Sequence, residues 1–155
     1  MKRHSAGILP YRFRGGQVQV LLVHPGGPFW AGTDLGTWSI AKGEYREPES
    51  ALEAAVREFH EETGHRPMGA FRPLSRQRLK SGKVIDAWAT EDDWDLSTFV
   101  SNTFTMEYPK GSGLRKTFPE VDRIEWFDMP TAMQKIHAGQ LGFLIELSQM
   151  EGQAP

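Results

Sequence analysis

The chain contains no cysteine, which excludes disulfide staples and thiolate metal sites and agrees with a reducing, cytoplasmic compartment. It also lacks long hydrophobic runs. The N-terminal apolar segment, Ala6 to Leu9, stops at Pro10. That is too short for a signal peptide, and no later stretch approaches a membrane span. Neither sign of charge dominates: 18 lysines and arginines stand against 20 acids, a net charge of −2. The balance removes the electrostatic case for DNA or a membrane surface as partner. Internal repeats and low-complexity tracts are missing as well. The 155 residues suit one soluble domain, 1–155, with a real core.

The segments "SAGILPYR" and "QVQVLLVHP" are β-rich and separated by "FRGG", so they predict a hairpin. Val18 to Val23 is nearly continuous apolar sequence, as in a strand buried on both faces. A glycine-rich loop, "GGPFWAGTDLG", leads to a short strand "TWSIA" and then Gly43. A helix is predicted from about Glu49 to Thr63, with Gly64 as its C-cap. "FRPLSRQRL" and "KVIDAWAT" predict a second hairpin across Ser81-Gly82, and "SNTFTMEY" and "RIEWFD" predict further strands. Pro130 opens a short helix, and "GQLGFLIELSQM" a terminal one with apolar residues at 141, 144 and 145 and position 148 continuing the spacing. The irregular alternation implies an α/β class, with a curved mixed sheet between helices.

The helix before Gly64 is dense in glutamate. At 100° per residue, Leu52, Ala55, Val56, Phe59 and Thr63 form its core stripe, while Glu58, Glu61 and Glu62 fill the adjoining arc. Glu53, Arg57 and Glu61 follow i,i+4 spacing and can form an ion chain. A solvated helix face accounts for Glu53, Arg57 and Glu47. It accounts poorly for three repelling carboxylates beside a buried edge. Such crowding becomes favourable around a hard divalent cation, which takes oxygen ligands and completes its shell with water and phosphate.

Gly43, five residues, Glu49, seven residues and then "REFHEETGH" resembles the signature of the Nudix hydrolases. Gly43, Glu49, Arg57, Glu58, Phe59, Glu61, Glu62 and Gly64 match it; His65 stands where the pattern has an aliphatic residue. The resemblance implies an α/β/α sandwich with a curved mixed β-sheet, in which the motif forms loop–helix–loop. It implies hydrolysis of a nucleoside diphosphate-linked, small-molecule substrate by attack of water on phosphorus, with Mg²⁺ or Mn²⁺. The Gly43 carbonyl and Glu58, Glu61 and Glu62 would be metal ligands and form the catalytic centre. Arg57 would orient the cluster, and Glu49 would tie the loop to the helix. The family also implies a further glutamate six residues before a late tryptophan. Glu120 meets that offset from Trp126 and would be a metal ligand or the water-activating base, with Glu107 and Glu125 as rivals. Strand alternation places Glu125 on the face opposite Trp126.

Outside the motif, Lys42 precedes its glycine as in the "W-x-x-P-K-G" approach of diadenosine-polyphosphate hydrolases, with Ala41 in place of proline. This directs the substrate expectation to dinucleoside polyphosphates, ahead of nucleoside triphosphates, including oxidised ones, and nucleotide sugars. Lys42 is a candidate phosphate contact, or else a solvated lysine. Phe29 and Trp30 can stack a base or anchor their loop to the core. Tyr108, Lys110, Arg115 and Lys116 surround "PKGSG", which reads as a mobile loop with phosphate-binding charge or as a solvated basic one. His24, His60, His65 and His137 show no metal-ligand spacing. Two other readings remain: a prenyl-diphosphate isomerase, whose common form needs a cysteine, and a non-catalytic nucleotide or RNA sensor, which would usually lose motif glutamates. A monomer and a homodimer are equally open.

Overall fold

The structure, a computed structural model, describes residues 4–152; the ends of the domain expected over 1–155 lie outside them. β1 (His4–Arg14) and β2 (Gln17–Pro25) form the predicted antiparallel hairpin. Gly15 and Gly16 take φ of 59° and 77°. A two-residue turn that follows the strands' own twist needs positive φ at both positions, and glycine supplies it without strain. β2 is buried on both sides. Val18, Val20 and Leu22 enter one core, while Leu21 and Val23 enter the other.

β1 is the junction of the sheet. One edge pairs in parallel with β6 (Val84–Glu91), from His4↔Val84 to Tyr11↔Glu91. The other pairs antiparallel with β3 (Ala41–Glu44) and then with β2. β2 continues onto β9 (Val121–Asp128), and the short strands β4 (Arg72–Pro73) and β5 (Gln77–Arg78) flank β6. The result is a mixed seven-stranded sheet. α1 (Ala51–Thr63) covers one face, packing Ala54, Ala55 and Phe59 with Ala6, Ile8, Leu21 and Val23. α2 (Met129–Lys135) and α3 (Leu141–Met150) cover the other, where Phe143, Leu144 and Leu147 join Leu9, Val20 and Trp38. The class is α/β, a mixed sheet between helices. No helix among the described residues is long and apolar enough to cross a membrane.

Several local expectations are corrected. α1 begins at Ala51, because Ser50 is the N-cap and forms a capping box with Glu53. Glu53 is therefore spent on the cap and takes no part in the expected ion chain. The buried stripe of α1 is Ala54, Ala55, Phe59 and Thr63, with Leu52 and Val56 only half-buried. In α3 the buried residues are Phe143, Leu144, Leu147 and Ser148, while Ile145 is exposed. "TWSIA" makes only isolated bridges, Val23↔Ser39 and Trp38↔Ile136, before β3. The arm before Ser81-Gly82 is two short strands, β4 and β5, rather than one. β7 (Thr103–Glu107) pairs with β8 (Arg115–Pro119), a strand the sequence did not reveal, in a separate two-stranded hairpin.

Candidate active site

Gly43 on β3 and Glu58 on α1 meet face to face. A Cβ at Gly43 would fall on the Glu58 carboxylate, so only glycine leaves this cradle open. Arg57 holds the cluster from the other side. Its Nε and Nη2 donate to Glu49 Oε2 and Oε1 at 2.7 and 2.9 Å, a bidentate pair that ties the loop before α1 to the helix. Its Nη1 donates to Glu58 Oε1 at 2.9 Å and to both Glu61 oxygens at 3.2 Å. The Glu49 hydrogen bonds, followed by those from Glu58 and Glu61, push the Arg57 pKa up, and Arg57 in turn draws Glu49 down.

Glu62 lies one turn beyond Glu58, whose charge acts on it. Burial first, then the Glu58 charge, raise the Glu62 pKa well above its ordinary value of 4.5; Lys42 opposes the shift. Glu120 joins this field. Burial and then Glu58 raise its pKa, and Glu120 in turn acts on Glu62. Its position is set by backbone hydrogen bonds. Asn102 N donates to the Glu61 carbonyl at 2.8 Å, Glu120 N to the Asn102 carbonyl at 2.9 Å, and Gly26 N to the Glu120 carbonyl at 2.9 Å. These bonds run from the last turn of α1 to the start of the glycine-rich loop. Gly26 is required there, because a Cβ would strike the Pro119 carbonyl.

The rivals of Glu120 sit elsewhere. Glu107 accepts from Gly111 N and Gly113 N, both at 3.0 Å, and so closes the tip of the β7–β8 hairpin. The "PKGSG" segment is thus an exposed turn closed by hydrogen bonds to Glu107. Lys110, Arg115 and Lys116 are exposed on that hairpin, with Lys116 over the Tyr108 ring at 5.7 Å. Glu125 is exposed in mid-β9. Phe29 meets Tyr108 edge-on at 6.1 Å, while Trp30 is 49% exposed beside it. His65, in the aliphatic position of the motif, stacks on Trp94 at 3.9 Å and bonds Asp92 at 2.9 Å. Its flat ring fills the space an aliphatic side chain would take.

Lys42 is partly buried across from Gly7. Burial, followed by the Lys83 charge, draws its pKa down. Lys83 was not singled out from the sequence. It reaches Lys42 only because β3 and β6 flank the same strand, and no local spacing signals that. The donor set of Glu58, Glu62 and Glu120 is of the hard, anionic oxygen type that Mg²⁺ or Mn²⁺ takes. Among the described residues no three such side chains already encircle one point. Arg57 holds Glu58 and Glu61. Burial first, and then the Glu58 charge, raise the Glu62 and Glu120 pKa values, and a cation bound beside them would oppose both effects.

The NUDIX domain family matches residues 1–146. No curated protein matches the sequence. Solved structures with a similar fold include a Caenorhabditis elegans Ap4A hydrolase binary complex (17% identity, 96% of this chain and 98% of that one, TM-score 0.65). Another is the NUDIX domain of Shewanella oneidensis NrtR with ADP ribose (17% identity, 99% and 90%, TM-score 0.64). A third is a Nudix hydrolase from M. smegmatis, RenU (18% identity, 96% and 86%, TM-score 0.58).

Proposed function

The chain belongs to the Nudix hydrolase family, and from that premise we propose that it cleaves a phosphoanhydride bond of a nucleoside diphosphate-linked substrate, with dinucleoside polyphosphates preferred. The observation that carries the reading is the Gly43 cradle that receives Glu58, with Glu62 and Glu120 gathered in the same field. In this reading the Gly43 carbonyl and Glu58, Glu61 and Glu62 hold Mg²⁺ or Mn²⁺, and Glu120 serves as the base. When bound, the cation neutralises phosphate oxygens and lowers the pKa of the attacking water. Arg57 keeps Glu58 and Glu61 aligned. Glu120, whose carboxylate is made more basic by burial and by Glu58, accepts the proton of the water that attacks phosphorus. Lys42 meets an oxygen of the phosphate chain, and Phe29, Trp30 and Tyr108 offer ring faces to a base, with Lys110 at the hairpin tip. Lys42 next to Gly43, and the fold shared with the worm Ap4A hydrolase, support the lean to dinucleoside polyphosphates.

The test is a panel of dinucleoside polyphosphates, nucleoside triphosphates, ADP-ribose and nucleotide sugars, each with Mg²⁺ and Mn²⁺ and with products resolved by chromatography. The expected result is fastest turnover of dinucleoside polyphosphates. Glu61→Gln and Glu62→Gln should each cut kcat by about 10²–10³-fold, the usual effect of removing a charge that stabilises the transition state. Wild-type turnover in both variants would sink the site assignment, whereas a preference for triphosphates would move only the substrate.

A further inference from the structure

Segment 100–102 stands between α1 and the start of β9, and it is bonded to both. Val100 N donates to the Thr63 carbonyl at 3.1 Å and Asn102 N to the Glu61 carbonyl at 2.8 Å. The last carbonyls of a helix have no partner within it, so this segment completes the end of α1. The fit is close: a Cβ at Gly64 would lie 2.6 Å from Val100 Cγ1. Between these two anchors, the Ser101 hydroxyl accepts from Val121 N at 3.0 Å and donates to the Asn102 carbonyl at 2.8 Å. That carbonyl also accepts from Glu120 N at 2.9 Å. We infer that Ser101 is the positioning residue that sets Glu120 against the carboxylates of α1. Its kinetic consequence rests on the nucleotide-hydrolase reading above; its hold on the backbone does not.

The two amides bonded in this way lie on either side of the Glu120 α-carbon. With the Glu120 carbonyl accepting from Gly26 N at 2.9 Å, both peptide units around that carbon are held. Rotation about either backbone bond of Glu120 then breaks at least one hydrogen bond. Among the described residues the Glu120 side chain makes no hydrogen bond of its own, so the direction of its carboxylate is inherited from this backbone. Strand pairing leaves the task undone at this point. β9 pairs Val121 with Pro25 and Arg123 with His24, which leaves Asp122 as an extra residue. Such a bulge bends the strand and interrupts its ladder, and Pro25 has no N–H to give.

A hydroxyl is the group this position requires. It gives and accepts at one atom, so it takes the Val121 N–H while its own proton goes to the carbonyl that binds Glu120 N. Alanine would leave the Val121 amide without that acceptor and the Asn102 carbonyl with one donor instead of two. Threonine carries the same hydroxyl. The bonds of Val100 and Asn102 to α1 are made by backbone atoms and do not pass through the Ser101 side chain. The helix end therefore stays fastened in either variant, and what changes is the reach from α1 to Glu120.

The test uses the whole chain as Ser101→Ala, Ser101→Thr, Glu120→Gln and the double variant Ser101→Ala/Glu120→Gln, assayed on a dinucleoside polyphosphate with saturating Mg²⁺. Ser101→Ala should lower kcat about tenfold or more with KM kept, because a base moved off line loses rate without losing substrate. Ser101→Thr should restore the rate. Glu120→Gln should lower kcat by about 10²–10⁴-fold. In that background Ser101→Ala should add no further loss, since the group it positions is gone. A further loss as large as in the single variant would place the effect of Ser101 elsewhere and overturn the inference. Wild-type kcat in Ser101→Ala, or an equal loss in Ser101→Thr, would overturn it too. The hold itself is read by amide exchange, without metal or nucleotide. Val121 should exchange about tenfold faster in Ser101→Ala, the effect of one hydrogen bond, while Asn102 keeps its protection. Unchanged Val121 exchange refutes the hold. If the wild-type chain hydrolyses no nucleotide, the function fails while exchange still decides the hold, so the two failures are told apart.

Discussion

Gly43 and Glu58 occupy one small volume, the first by lacking a side chain and the second by filling the gap. Gly43→Ala should therefore displace Glu58 from the cluster and lower turnover by about 100-fold or more. Circular dichroism should show the helices intact, and near wild-type turnover would mean the cradle is dispensable. Glu62 makes a second, independent prediction. Burial and Glu58 raise its pKa in the folded protein above the ordinary 4.5, so the native state keeps a proton that the unfolded chain releases. The unfolded state then binds fewer protons, and stability falls as pH rises. The window opens at 4.5 and closes at the raised folded value. Denaturant titrations of the metal-free protein from about pH 5 to about pH 8 should show this decline in wild type and a flatter curve in Glu62→Gln. Saturating Mg²⁺ or Mn²⁺ should also flatten it, and parallel wild-type and variant curves would contradict the account.

α1 shows at the level of an element what sequence does and does not disclose. Its start depends on a reciprocal cap, with Ser50 Oγ accepting from Glu53 N at 3.2 Å and Glu53 Oε1 accepting from Ser50 N at 3.1 Å. Ser50→Ala should cost about 1 kcal/mol of stability, read as a lower denaturation midpoint with unchanged slope. The helix end at Gly64 and the β1–β2 hairpin were legible, because each is written in residues close together in sequence. A tie from Glu49 to the helix was implied only by the family resemblance, which did not name Arg57 as its partner. The rotation of α1 was not. A hydropathy wheel favours Leu52 and Val56 over Ala54, yet Ala54 is fully buried. The short Ala54 and Ala55 side chains let the helix backbone come close to Ala6 and Ile8 of β1. β8 escaped notice because "RKTFP" is charged and exposed and makes sense as a strand only beside β7. Lys83 and the His24–Asp122 pair join segments far apart in sequence, and only strand register brings them together.

For the molecule as a whole, the proposed function predicts that binding of Mg²⁺ or Mn²⁺ stabilises the fold, since only the native chain brings the proposed ligands on α1 together with Glu120, which lies between β8 and β9. With metal at about 100 times its Kd, Tm should rise by about 5–10 °C for a domain of this size. Calorimetry should show a smaller rise in Glu58→Gln, and indifference to both ions in wild type would count against the site. The position of β1 bears on how the protein is made. β1 leaves the ribosome before the other described strands, but the edge that pairs with β6 stays open until synthesis passes Glu91, and β2 waits for β9 to Asp128. The early hairpin is thus an open template for strand addition from other chains, and distant pairing of this kind is slow to close. Nascent chains halted before Glu120 would carry the complete acidic helix without Glu120 or the strand that pairs with β2. Their fate should be aggregation or capture by chaperones rather than partial activity.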